Sequence, residues 1–215
     1  MQLFALRPHV RACIDGANLV FLDLRNDRYR AVPIRSAPAI VGFTEEGTRR
    51  DAAAASLVAL DLIESVEGAV EGVPERARAP EAKLVIGRGA KPTLSDAARF
   101  VVGCNRAALA LKRRRLDLTL ASIVRRKAKV REGAEPVERA VAIFETLRPW
   151  YPRARVCLFD SLALMSFMLD CGIAPTLVLG VRTTPFAAHC WLELGDRLVS
   201  DMSDYCPSFT PVAWV

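Results

Sequence analysis

At Cys157 an extended run turns into a strongly apolar helix carrying Leu158, Leu162, Leu164, Met165, Met168 and Leu169, and Cys171-Gly172 stops it. A continuous apolar strand, Thr176 to Val181, comes next. Ala188 to Leu194 and Arg197 to Asp201 then form a hairpin around Gly195-Asp196. Upstream, Thr93 or Ser95 caps a helix running to about Arg114, and Asp117 to Lys129 continues as another. Pro136 marks the first turn of a third helix, which Trp150-Tyr151-Pro152 ends. Helices followed by an antiparallel sheet place residues 93–215 in the α+β class.

The N-terminal part reads differently. Val10 to Asp15, Leu19 to Leu24 and Tyr29 to Val32 are strands separated by turns at Gly16-Ala17-Asn18 and Asn26-Asp27, a three-strand meander. Helical material follows: a short segment near 36–42, then Glu46 to Ala59, then Leu60 to Gly68, with Leu57, Leu60, Ile63 and Val66 supplying a helical stripe. Between about 71 and 93, prolines and glycines interrupt every periodicity, with room for one short strand at Leu84-Val85-Ile86. The expected organisation is a domain over 1–72, a linker over 73–92 and a domain over 93–215.

With 52% hydrophobic and 25% charged residues, the chain has enough apolar material for a globular core. No run approaches the ~18 apolar residues of a membrane span. The first fifteen residues, with Arg7, Arg11 and Asp15, contain no signal-like apolar block, so a cytoplasmic location is expected. Six cysteines without a CxxC pair are expected to be free thiols, and with two histidines they form no zinc cluster. No metal or cofactor is implied. The net charge of +6 is concentrated in Lys112-Arg113-Arg114-Arg115 and in Arg125-Arg126-Lys127 with Lys129 and Arg131. Such a stretch reads first as a solvated helix face and second as a docking surface for an acidic partner. Nucleic acid is disfavoured because no aromatics interleave with the charges.

Cys157, His189 and Asp201 are the candidate catalytic residues. A cysteine is a useful nucleophile when it is thiolate, and two sources lower its pKa here: the positive end of the helix and a protonated imidazole within reach. His189 then delivers its proton to a leaving amine, and Asp201 holds the other ring nitrogen. His9 lies in the other region, which leaves His189 as the imidazole available to Cys157. Cys171 and Cys190 sit in apolar surroundings with no reason to ionise.

The hairpin sets a condition on the third residue. Side chains alternate faces along a strand. A two-residue Gly195-Asp196 turn pairs Leu194 with Arg197 and sets His189 opposite Met202, so Asp201 requires an odd loop or a bulge. Without one, Asp204 and Asp160 become the alternatives.

A thiol at a helix start followed by an imidazole and a carboxylate on neighbouring strands resembles the transglutaminase-like cysteine hydrolases. The stretches Cys157 to Leu164, Gly172-Ile173-Ala174-Pro175, Leu179-Gly180-Val181-Arg182 and Pro185-Phe186-Ala187-Ala188-His189-Cys190-Trp191-Leu192-Glu193 resemble the B proteins of lasso-peptide biosynthesis over about residues 136–204. Two differences stand out: Cys190 replaces a common alanine, and Asp160 sits where a basic residue is common. The N-terminal region resembles that family's RiPP recognition element, a winged-helix-like domain of three strands and three helices. The resemblance implies a cysteine peptidase that removes the leader of a ribosomally made precursor peptide, with an ATP-dependent lasso cyclase as partner. It also implies leader capture as an added strand along Tyr29, Ala31 and Val32, beside a helix presenting Leu60 and Ile63. Amine acylation on the same triad, and non-catalytic precursor binding, are the rival readings.

Overall fold

The structure, a computed structural model, describes residues 3–36, 50–66, 76, 80, 82, 84, 90–131, 135–199 and 203–215. It is an α+β fold with antiparallel sheets. The expected meander is present: β2 (Val10–Asp15), β3 (Asn18–Asp23) and β4 (Arg28–Pro33) pair in the order β2-β3-β4. β3 is apolar on both faces because each covers a different core. Leu19 and Phe21 join Phe4, Val10, Leu57 and Ile63 in a small cluster. Val20 and Leu22 enter the large core together with Phe144, Phe167 and Leu192. A strand buried on both faces reads as a near-continuous apolar run, as Leu19 to Leu24 does.

Two elements of the N-terminal region depart from expectation. β1 (Leu3–Leu6) pairs antiparallel with β5 (Ile63–Val66), so the segment expected to be a helix from Leu60 to Gly68 is a turn and a strand. Helix α1 (Arg50–Ala59) ends before it, and Asp61, at φ 57°, turns the chain into the strand. The three-residue spacing of Leu57, Leu60 and Ile63 imitates a helical stripe, but Leu57 and Ile63 are buried while Leu60 is 41% exposed. Residues 37–49, including most of the expected helix near 36–42, lie outside the described residues, as do Val85 and Ile86.

The C-terminal part follows its sequence pattern closely. α2 (Leu94–Arg113) starts with a capping box between Thr93 and Asp96, and α3 (Leu116–Lys127) and α4 (Val137–Leu147) follow. α5 (Cys157–Asp170) is buried along most of its length, packed against α2 on one side and the sheet on the other. The sheet runs β8-β7-β6-β9, from β6 (Thr176–Thr183), β7 (Phe186–Leu194), β8 (Arg197–Leu198) and β9 (Thr210–Trp214), with a register shift in β6 at Leu179/Gly180. β9 has no clear signal in the sequence.

The meander packs directly on this sheet, with β2 against β9. Buried Asp15 accepts hydrogen bonds from the Thr183 amide at 2.7 Å, the Thr183 hydroxyl at 2.6 Å and the Thr210 hydroxyl at 2.7 Å. Leu84 is buried, and the backbone of Ala82 and Leu84 bonds Leu198 on both sides (2.8 Å each). On the face away from α5, Trp191 fills the space over Gly180. A Cβ on Gly180 would lie 2.6 Å from the indole ring. Gly180→Ala is therefore expected to lower stability by about 1–3 kcal/mol through overpacking, read by urea unfolding; an unchanged midpoint would contradict this packing.

Candidate active site

Cys157 is the first residue of α5, with Val156 as an extended N-cap that makes no side-chain cap bond. The cap is supplied from inside the helix. Asp160 reaches back to accept from the Val156 amide at 3.0 Å, and its other oxygen accepts from the Arg148 guanidinium. Arg148 is only 2% exposed and also donates to the Ala154 carbonyl at 3.2 Å. One ion pair thus fixes both the loop leading to Cys157 and the first turn of its helix. One turn along, the Ser161 hydroxyl donates to the Cys190 carbonyl at 3.2 Å and ties α5 to β7.

This docking places the half-buried Cys157 thiol within hydrogen-bonding reach of two β7 residues. Bonds from the Cys190 thiol and the His189 imidazole, together with the nearby imidazole charge and the Cys190 amide, pull its pKa from 9.0 to about 4. The free N–H groups of the helix start act in the same direction. Cys190, fully enclosed, moves the opposite way, through its bond to Cys157 and through burial. The shared bond thus favours ionisation of Cys157 and protonation of Cys190. Cys13, Cys104 and Cys171 are raised by burial, and none of the six cysteines forms a disulfide. Cys190 is thus the buried, un-ionised thiol expected, and its bond to Cys157 is an addition of the fold. Its position next to His189 on the strand was the available signal.

His189 lies against two aromatic rings, Trp191 at 6.0 Å and Phe209 at 5.3 Å. Trp191 is itself held by an indole bond to Glu193 at 2.7 Å. His9 is remote from this arrangement and packs near Asp61 (3.6 Å) and Asp23 (3.9 Å). The Nε2 of His189 is buried and has no hydrogen-bond partner among the described residues. A buried polar nitrogen normally has one.

The hairpin condition resolves toward the shorter turn. Leu194 pairs with Arg197 around Gly195, at φ 62°, and the Val199 amide bonds the Leu192 carbonyl at 2.9 Å. The register is therefore the two-residue one through Val199, and the odd loop is absent. Asp201 lies outside the described residues, as does the side chain of Asp204. Asp160 is committed to Arg148 and Val156.

Of the expected leader-binding residues, Tyr29, Ala31 and Val32 lie on β4, the outer strand of the meander. Tyr29 packs edge-on against Phe186 at 5.7 Å. Burial raises its pKa, with further upward contributions from Asp27, Cys190 and Cys157, so β4 lies close to Cys157. Leu60 borders a depression with Arg28 and Arg30 beside β4. Ile63 is fully buried in the small core and presents nothing to a ligand, a consequence of its place in β5.

Removing Arg148 would leave Asp160 buried without its counter-ion. Arg148→Ala is expected to cost about 3–5 kcal/mol in chemical unfolding. A loss under 1 kcal/mol, about the value of a surface pair, would contradict the clamp.

The comparisons with known proteins agree with this geometry. Residues 98–213 match the Transglutaminase-like superfamily. A 45-residue stretch is 42% identical to the Microcin J25-processing protein McjB of Escherichia coli, covering 21% of this chain and 22% of that protein. No solved structure matches the chain. No described helix is long and apolar enough to cross a membrane. The family match extends over more than half of the chain and contains both Cys157 and His189, so the protein belongs to the transglutaminase-like superfamily.

Proposed function

We propose that this protein is a cysteine peptidase of lasso-peptide biosynthesis that binds the leader of a precursor peptide and cleaves the leader–core amide. The observation that carries this reading is the Cys157 thiol at the start of α5, within hydrogen-bonding reach of His189 and with its pKa drawn down by that contact. The superfamily and the partial likeness to a microcin-processing protein support it.

The Cys157 thiolate attacks the scissile carbonyl, and the N–H groups at the start of α5 receive the developing oxyanion. His189, as the imidazolium, protonates the leaving amine. It then takes a proton from the water that hydrolyses the thioester. Asp201 takes the third place and orients the imidazole. That assignment requires the chain to leave the hairpin register after Val199. The 3-10 segment from Ser203 to Ser208 supports such a departure.

The leader adds as a strand along β4, whose outer backbone groups have no strand partner among the described residues. Tyr29 and Val32 lie on the half-buried positions of that strand and Ala31 on an exposed one. Leu60 flanks it through the depression shared with Arg28 and Arg30. The freed core passes to an ATP-dependent lasso cyclase, and the whole sequence runs in the cytoplasm.

Incubating purified protein with the precursor is expected to give two fragments whose masses sum to precursor plus water. Cys157→Ala and His189→Ala should each abolish the cut. Asp201→Asn should slow it at least about 100-fold, with Asp204→Asn near wild type. An amine adduct in place of hydrolysis would establish acyl transfer instead, and unchanged cleavage by Cys157→Ala would overturn the nucleophile.

A further inference from the structure

The basic stretch seen in the sequence borders a groove of about 240 Å³ between α2, α3 and α5. Arg106, Arg113, Arg115 and Arg126 line its walls. Two of them share one carboxylate, Asp170, at 2.7 Å for Arg106 and 2.9 Å for Arg126. Arg115 pairs with Asp117 at 2.7 Å. Arg113 has no ion-pair partner among the described residues, nor do the flanking Lys112, Arg114 and Arg125. The wall is therefore in cationic excess.

The groove is apolar as well as cationic. Leu109 and Leu118 are 48% and 54% exposed at it, large aliphatic side chains that solvent alone does not explain as a pair. Leu162 and Met165 of α5 form the floor. Leu162 also lines a smaller neighbouring depression with Leu158 and Arg114. Leu158 directly follows Cys157 in the chain. The lining thus runs from the middle of α5 to its first turn.

We propose that this groove binds an acidic, amphipathic segment of the peptide substrate flanking the scissile bond. The site is distinct from the β4 edge, and its link to a substrate rests on the peptidase reading. Carboxylates on the segment pair with Arg113 and its neighbours, while an aliphatic side chain covers Leu109 and Leu118. Charge selects the segment, and removal of the two leucines from water adds affinity. A nucleic acid would meet the same charges, but no aromatic side chain lines the groove for base stacking.

The test uses a fluorescein-labelled synthetic peptide of alternating Glu and Leu, followed by anisotropy on the full chain. Arg113→Glu is expected to weaken binding at least about tenfold and Leu118→Ser about threefold, since single pairs and apolar contacts have that reach. Circular dichroism confirms that each variant is folded. Replacing Glu by Lys in the peptide should abolish binding, whereas Cys157→Ala should leave it intact. Equal binding by wild type and both folded variants would overturn the proposal, as would tighter binding of a charge-matched single-stranded oligonucleotide. Binding that depends on Arg113 without any cleavage of precursor would uphold the groove and reject the peptidase reading.

Discussion

Asp160 holds the Val156 amide with one oxygen and the buried Arg148 guanidinium with the other, and the position of Cys157 depends on that clamp. A carboxylate one turn into a helix, bent back to cap it, leaves the N-cap side chain free of that duty. Val156 can then be extended and apolar while Cys157 opens the helix toward β7. Ser161 completes the docking through the Cys190 carbonyl. The chemistry follows from the contact: a thiol at a helix start, beside an imidazole and a second thiol that stays protonated, is far more stable ionised.

The second constraint is the way the meander seats on the β8-β7-β6-β9 sheet. Asp15 satisfies one amide and two hydroxyls from Thr183 and Thr210, and Val20 and Leu22 share a core with α4, α5 and β7. β4, the outer strand of the meander among the described residues, is therefore held beside β7 and α5, with Tyr29 close to Cys157. Under the proposed function, peptide captured on β4 is already near the nucleophile, which lowers the entropic cost of bringing a scissile bond to it.

Much of this was legible in the sequence because it rests on local signals. The Thr93–Asp96 capping box, the apolar run after Cys157 and the stop at Gly172 specify their helices through neighbouring residues alone. Alternation left two registers open for the hairpin, and the Leu194–Arg197 pair adopts the two-residue one. What escaped is non-local. β5 is only four residues long and pairs with β1 some 60 residues earlier, so its three-residue apolar spacing was read as helix. Arg148 and Asp160 are ordinary charged residues until the fold buries them together. Cys190 was read correctly as un-ionised, yet its role against Cys157 arises only from how α5 docks.

The central claim is that Cys157 is a thiolate at neutral pH because of β7, and its titration tests this most directly. The folded pKa of about 4 lies below the ordinary 9.0, so the ionised form predominates above the lower value. Iodoacetamide labelling of Cys157, quantified by peptide mass spectrometry, should proceed at a constant rate from about pH 5 to 8 and fall off only as pH drops through about 4. His189→Ala should move that fall to higher pH. A rate that climbs about tenfold per pH unit between 6 and 8 in the wild-type protein would show an ordinary thiol and contradict the account.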